Sequence, residues 1–230
     1  MRWFGALCSV LVLAISVTAC QAGSGGPQPP AASPPSALAS GDAHASSGST
    51  NPMPPPATPP RLSSEAQAQL DQELIAAAKA NNELLVGELI GRGGNVNSKD
   101  AIQDSAFLYA GAEGFNGVLR LTLAAGADVA STNRYGGTAL IPASEHGHVE
   151  TVRILIDAGV PVNHVNNLGW TAMQEAVVLN NGGPRQQEVV RLLLDAGADP
   201  NIPDREGRTA LENAERLGFA GIAALIRSRG

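Results

Sequence analysis

Two places in this 230-residue chain carry side chains whose type and spacing suit chemistry. The run Glu145-His146-Gly147-His148-Val149-Glu150 flanks a pair of imidazoles with carboxylates, and those residue types bind metal ions. The second place is Cys20, which follows Val17-Thr18-Ala19 where an apolar run gives way to Gly, Pro, Ser and Ala. Cys8 and Cys20 both precede the part of the chain that carries nearly all the charge, so neither a disulfide nor a Cys-based zinc site can hold that part together. No Gly-rich stretch has the spacing of a phosphate loop, and no Ser, His and Asp set supplies a nucleophile with its base. The net charge of -6, without any Lys/Arg cluster, excludes the basic face that nucleic acid requires. The reading is a protein that is not an enzyme and needs no cofactor, metal or small-molecule substrate, with the His146/His148 pair as the one chemical alternative.

The elements that would position these groups begin with the amino end. Arg2 is followed by an apolar stretch from Trp3 to Ala19 that closes in small residues, the layout of a secretory signal. It is short for a bilayer span, which takes about 20 apolar residues with flanking anchors. Val17-Thr18-Ala19-Cys20 resembles the lipobox of bacterial lipoproteins. That resemblance implies cleavage before Cys20, a diacylglycerol on its sulfur and often an acyl chain such as palmitate on its amine. One chain binds a membrane marginally and two or three hold firmly. An ordinary cleaved signal that leaves Cys20 a free thiol is the other reading. Gln21 follows the cysteine where an Asp would favour inner-membrane retention, so in a Gram-negative cell the expectation is the outer membrane or its periplasmic face; otherwise it is the outer face of the cell membrane.

From Gln21 to about Pro60 the chain is rich in Pro, Ala, Ser and Gly, with too few large apolar residues to offset the entropy of ordering. A flexible tether of that length has an end-to-end distance on the order of 35 Å.

Beyond the tether the sequence repeats itself. Gly93, Gly126 and Gly159 close the similar segments RGGNVN, AGADVA and AGVPVN at intervals of 33 residues, and Gly197 of AGADPN follows after 38. Ser105, Thr138, Thr171 and Thr209 keep the same intervals, so two markers share one five-residue insertion. In GGTAL, GWTAM and GRTAL a Gly permits a tight turn and the Thr caps a first helix. Gln174 and Glu212 stand three residues after their Thr, as in capping boxes. The runs VETVRILIDAG and QEVVRLLLDAG show helical periodicity, and the closing Gly supplies a left-handed cap.

Each unit then reads as helix, turn, helix and hairpin, and these residues resemble ankyrin repeats. The resemblance spans about residues 67–230 and implies an all-α repeat solenoid of about five units with β-hairpins between them. The expected organisation is a signal peptide over 1–19, an acylated Cys and linker over 20–62, and repeats over 63–230, divided near 63–99, 100–132, 133–165, 166–203 and 204–230. Ser64 to Gln67 reads as a capping box opening the first helix, with Gln67, Gln69, Asp71 and Glu73 facing solvent; Glu212, Glu215, Arg216, Arg227 and Arg229 supply the rear cap. Where the family has Pro-Leu-His after its Thr, this chain has Ala139-Leu140-Ile141, Ala172-Met173-Gln174 and Ala210-Leu211-Glu212, so ties between repeats are expected to be weaker. The expected core is Leu74, Ala77, Leu89, Ile90, Leu119, Leu123, Leu140, Ala143, Ile154, Leu155, Ala176, Leu192, Leu193, Leu211 and Leu225.

The same resemblance implies a protein partner bound by the hairpin tips and the exposed side of each first helix. The positions carried over are Arg134, Tyr135, Leu168, Trp170, Arg205 and Arg208 on the tips, with Glu145 and His146 on a helix. Aromatic residues are only 3% of the chain, so Tyr135 and Trp170 on adjacent tips are informative, and with Arg134 they are the residue types that dominate interfaces. Trp170 folding back to shield its own hairpin is the second reading. The ankyrin pattern makes Gly147-His148 an ordinary end of a first helix, and it puts His164 in a hairpin strand. The insertion, within VVLNNGGPRQQEVV, reads as a longer loop between the two helices of its repeat, either merely tolerated or a second contact site. The functional expectation is a lipid-anchored envelope protein that binds another protein as scaffold or accessory factor; a neutraliser of an envelope-targeted toxin and a metal-dependent enzyme are the alternatives.

Overall fold

In the computed structural model residues 62–229 are described, and the lipobox and tether lie outside them. The described residues belong to one compact unit, Thr58–Gly230. Among them the elements are ten helices and no strand: α1 Ser64–Lys79, α2 Glu83–Gly91, α3 Ala106–Glu113, α4 Asn116–Ala124, α5 Leu140–Glu145, α6 Val149–Asp157, α7 Ala172–Val178, α8 Pro184–Asp195, α9 Ala210–Arg216 and α10 Ala220–Arg227. The odd-numbered helices pack side by side as one layer and the even-numbered as a second. No helix among the described residues is long and apolar enough to cross a membrane.

The expected β-hairpins are turns without strands. Each tip is closed by two backbone bonds: Asn133 N–H reaches the Gly137 carbonyl and Gly136 N–H the Asn133 carbonyl, both at 2.9 Å, and Asn166 N–H reaches the Trp170 carbonyl at 3.0 Å while Gly169 N–H reaches the Asn166 carbonyl at 2.9 Å. An Asx side chain completes the turn: Asn133 Oδ1 accepts from the backbone of Tyr135 and Gly137, and Asn166 Oδ1 from that of Leu168 and Trp170. Between neighbouring tips a single backbone bond, from Asn167 N–H to the Tyr135 carbonyl at 2.9 Å, stands in place of a strand ladder. His164 lies in the irregular segment after the 162–163 turn and not in a strand, its Nε2 reaching the Gly136 carbonyl at 2.6 Å.

The caps follow the expected scheme with three corrections. Gly93, Gly126, Gly159 and Gly197 are left-handed, and Ser105 and Thr171 accept from the backbone N–H three residues on. Thr209 and Glu212 form the reciprocal capping box. At α1 it is Ser63 that caps, bonding Ala66 N–H, and Asp71 is buried because Asn95 N–H, Ser98 Oγ and Gln67 Nε2 all donate to it. Gln174 closes no box; its amide turns to the next repeat. Thr138 caps nothing, because Pro142 has no N–H and the first turn tightens, Ile141 N–H bonding the Thr138 carbonyl at 3.2 Å. Thr138 Oγ1 is left buried without a partner.

Leu74, Leu89, Leu119, Leu140, Leu155 and Leu193 are fully buried along one continuous core. Ile90, Leu123, Ile154 and Leu211 are half-buried and pack on its edge. Leu225 is also only partly buried, since Ile222 and Ile226 take the inward stripe of α10. At the rear, Arg227 pairs with Glu215 at 2.5 Å and Arg229 with Asp195.

Side chains tie the repeats together where the family's histidine is missing, so the expected weakening is not uniform. Gln174 Nε2 donates to the carbonyls of Ile202 and Arg208, and Asn213 Nδ2 donates to Gln174 Oε1. Asn97 pairs with Gly126 and Asp128 of the next unit, and Asn163 with Gly197 and Asp199. Ala130 stands at the same place between them, opposite Pro161, and can make neither bond. The insertion is divided: relative to the preceding unit, the loop between α7 and α8 is two residues longer and α8 three residues longer. Asn180 fastens that loop, its amide donating to the carbonyls of Glu145 and Glu175.

Candidate functional site

Residues from two adjacent tips and three inner helices enclose a hollow of about 430 Å³. The tips contribute Arg134, Tyr135, Leu168 and Trp170; α3 contributes Tyr109, Ala112 and Glu113; α5 contributes Ile141, Pro142 and Glu145; α7 contributes Glu175. Six of the sequence-derived positions meet here: Arg134, Tyr135, Leu168, Trp170, Glu145 and His146. Arg205 and Arg208 stand outside it. Arg205 reaches the Asn167 carbonyl, and Arg208 is engaged by Asp204 at 3.3 Å and Glu206 at 2.9 Å.

The rim is set by charge. Asp100 accepts a 2.5 Å bond from Lys79; burial alone would raise its carboxyl, but Lys79 and the tip N–H groups hold it below the usual carboxylate range. Arg134 lies 3.5 Å from Asp104 and stacks its guanidinium 4.7 Å from the centre of the Tyr135 ring. Tyr135 is half exposed and Trp170 partly so, with the backbone of each held by its Asx turn. The tips therefore present aromatic rings on rigid turns, which lowers the entropy lost on binding.

The floor was not legible as a site. Glu175 is buried to 5% exposure, and its Oε1 accepts from Asn166 Nδ2 at 2.7 Å. Burial pushes its carboxyl up to about 7; Glu145 adds to the rise, and the Asn166 bond and His146 oppose it. Tyr109, Pro142 and Glu175 share one register, four residues after Ser105, Thr138 and Thr171, and all line the hollow. The variety of residue types at that register is the signal that marks it. Leu179, the first residue of the enlarged loop, is exposed and also lines the hollow.

His146 lines the hollow and His148 lies beside it, their rings 5.5 Å apart and crossed at 70°. His146 Nδ1 lies 2.8 Å from the Ala112 carbonyl, which can only accept, so that nitrogen carries the proton. Burial and the adjoining His146 ring hold His148 below the ordinary imidazole value. Among the described residues no three His, Cys, Asp or Glu side chains are grouped to hold a metal ion.

The family model for ankyrin repeats matches residues 74–163 and 107–204. Among solved structures, the chain is similar to an ankyrin repeat domain from Acinetobacter baumannii AYE at 57% identity, over 68% of this chain and 80% of that one, with a TM-score of 0.68. It is also similar to the ankyrin repeat protein EF0377 at 38% identity, over 68% and 80% of the two chains, with a TM-score of 0.66. No curated protein matches.

Proposed function

The chain belongs to the ankyrin-repeat family, and from that premise we propose that it binds another protein through the hollow around Tyr135 and Trp170 while a lipid on Cys20 holds it at the extracytoplasmic face of a membrane. Ankyrin repeats generally mediate protein–protein interaction. The observation that carries the assignment to this face is the convergence of Arg134, Tyr135, Leu168 and Trp170 from two rigid tips onto one hollow. Exposed aromatic and arginine side chains on preorganised backbone are the usual anchors of a protein interface. The role that fits such a binding groove is scaffold or accessory factor. The anchor rests on the sequence Val17-Thr18-Ala19-Cys20, outside the described residues. Tethering to a surface raises the effective concentration of a groove near its membrane partners, so modest intrinsic affinity suffices there.

Crosslinking in the native cell, followed by identification of the captured protein, tests the groove. Trp170→Ala combined with Tyr135→Ala is expected to abolish capture while leaving thermal unfolding nearly unchanged; equal capture moves the site elsewhere. Cys20→Ser is expected to release the protein from the membrane fraction or leave an uncut precursor. Unchanged, membrane-bound mature protein rejects the anchor.

A further inference from the structure

We propose that the hollow receives one basic side chain, an arginine or a lysine, presented by a segment of the protein partner. This rests on the reading of the hollow as a protein-binding surface and specifies what it recognises. Four carboxylates line the hollow, those of Asp104, Glu113, Glu145 and Glu175, against a single guanidinium, that of Arg134, and the His146 ring. Arg134 is taken by Asp104 and the Tyr135 ring at the rim. Glu113, Glu145 and Glu175 have no ion-pair partner among the described residues, and His146 is turned to the Ala112 carbonyl.

Glu175 decides the chemistry. It is nine-tenths or more buried, it lines the hollow, and only its Oε1 has a hydrogen-bond partner among the described residues. Its Oε2 takes no bond from a protein donor and is not among the sealed, unpartnered atoms, so it stays open on the hollow that the residue lines. An incoming cation would supply both the absent donor and the counter-charge, in a partly desolvated place where such a bond is strong. The remaining walls suit the same guest. Tyr109 already has Lys79 5.2 Å from its ring centre and Tyr135 has Arg134, so Trp170 is the lining ring that holds no cation among the described residues, and a ring face attracts a guanidinium or ammonium group. An anionic guest would meet the unpaired Glu113 and Glu145 first and be repelled.

The test is an NMR titration of the full-length chain at pH 8, where Glu175 is ionised, with Nα-acetyl-arginine amide, Nα-acetyl-lysine amide and the neutral isostere Nα-acetyl-citrulline amide. The cationic probes are expected to shift the Trp170 indole and Glu175 backbone resonances saturably, with a dissociation constant on the order of 1 mM. Citrulline amide is expected to bind at least about tenfold more weakly, as one lost charge-assisted bond implies. Glu175→Gln is expected to weaken the cationic probes by a similar factor with its spectrum otherwise intact, and Glu188→Gln, which lies outside the hollow, to leave them unchanged. Equal binding of citrulline and arginine amides overturns the proposal, as does absence of saturable shifts or an unaffected Glu175→Gln variant. If these fail while the Tyr135/Trp170 double variant still loses its captured protein, the groove reading stands and only the basic guest is withdrawn.

Discussion

Gln174 and Asn213 meet across the α7 and α9 layer, the Asn213 amide donating to Gln174 Oε1 at 3.1 Å while the Gln174 amide holds the carbonyls of Arg208 and Ile202 at 3.0 and 3.2 Å. Both side chains are almost fully buried, at 1% and 0% exposure. One glutamine therefore ties the fourth tip to the helix behind it, in the register where the family places its histidine. Gln174→Ala removes three bonds at once and leaves the Ile202 carbonyl without a protein partner, while the Arg208 carbonyl keeps the Asp204 N–H and the Asn213 amide keeps the Asp204 carboxylate. The expected cost is about 2 kcal/mol, from three lost bonds, one unsatisfied carbonyl and the space the side chain leaves. In a domain of this size that lowers the thermal midpoint by roughly 4–8 °C. An unchanged midpoint in calorimetry would show that the junction is held by apolar packing alone.

The repeat itself was legible because a spacing of 33 residues in two independent markers survives an insertion, and each marker has a mechanical duty. What was not legible depends on which of several bonds a side chain selects. Asp71 looked like a solvent-facing helix residue, yet three donors from its own helix and the following turn bury it. Gln103 occupies the tip position where Gly136, Gly169 and Gly207 stand in the other units, and it adopts the same left-handed backbone, with φ of 67°. The turn is thus imposed by the repeat and not by its local residue type. Of the site, the exposed tips could be read from family register. The Glu175 floor could not, since a carboxylate on an amphipathic helix is ordinarily placed in solvent.

The four helix-opening hydroxyls, alike in sequence, are expected to differ in energy. Thr171 Oγ1 accepts from Gln174 N–H at 3.2 Å, whereas Thr138 Oγ1 is buried with no partner because Pro142 has drawn the first turn of α5 tight. Replacing each by the isosteric valine separates the cap from the methyl group. Thr171→Val should cost about 1–2 kcal/mol through a lost cap. Thr138→Val should be neutral or stabilising by about 1 kcal/mol, since it removes an unsatisfied buried hydroxyl. Urea unfolding of the two variants checks the contrast, and equal losses would contradict it.

The buried Glu175 predicts how stability depends on pH. Burial, reinforced by Glu145 and opposed by the Asn166 bond and His146, raises its carboxyl from the ordinary value of 4.5 to about 7 in the folded chain. The folded state therefore holds a proton that the unfolded chain releases, so stability from this group falls as pH rises from about 4.5 and levels off above about 7. The penalty at pH 8 is on the order of 3 kcal/mol for a shift of this size. His148 acts with the opposite sign: its imidazole is held below 6.5, so its contribution grows as pH rises toward that value. The two are separated by comparing Glu175→Gln with the parent chain, because His148 is common to both. Glutamine keeps an acceptor for Asn166 and carries no charge. The variant should match the parent near pH 4 and exceed it increasingly up to pH 8 in urea unfolding; a gap that stays constant across that range would mean that Glu175 does not titrate in the folded protein.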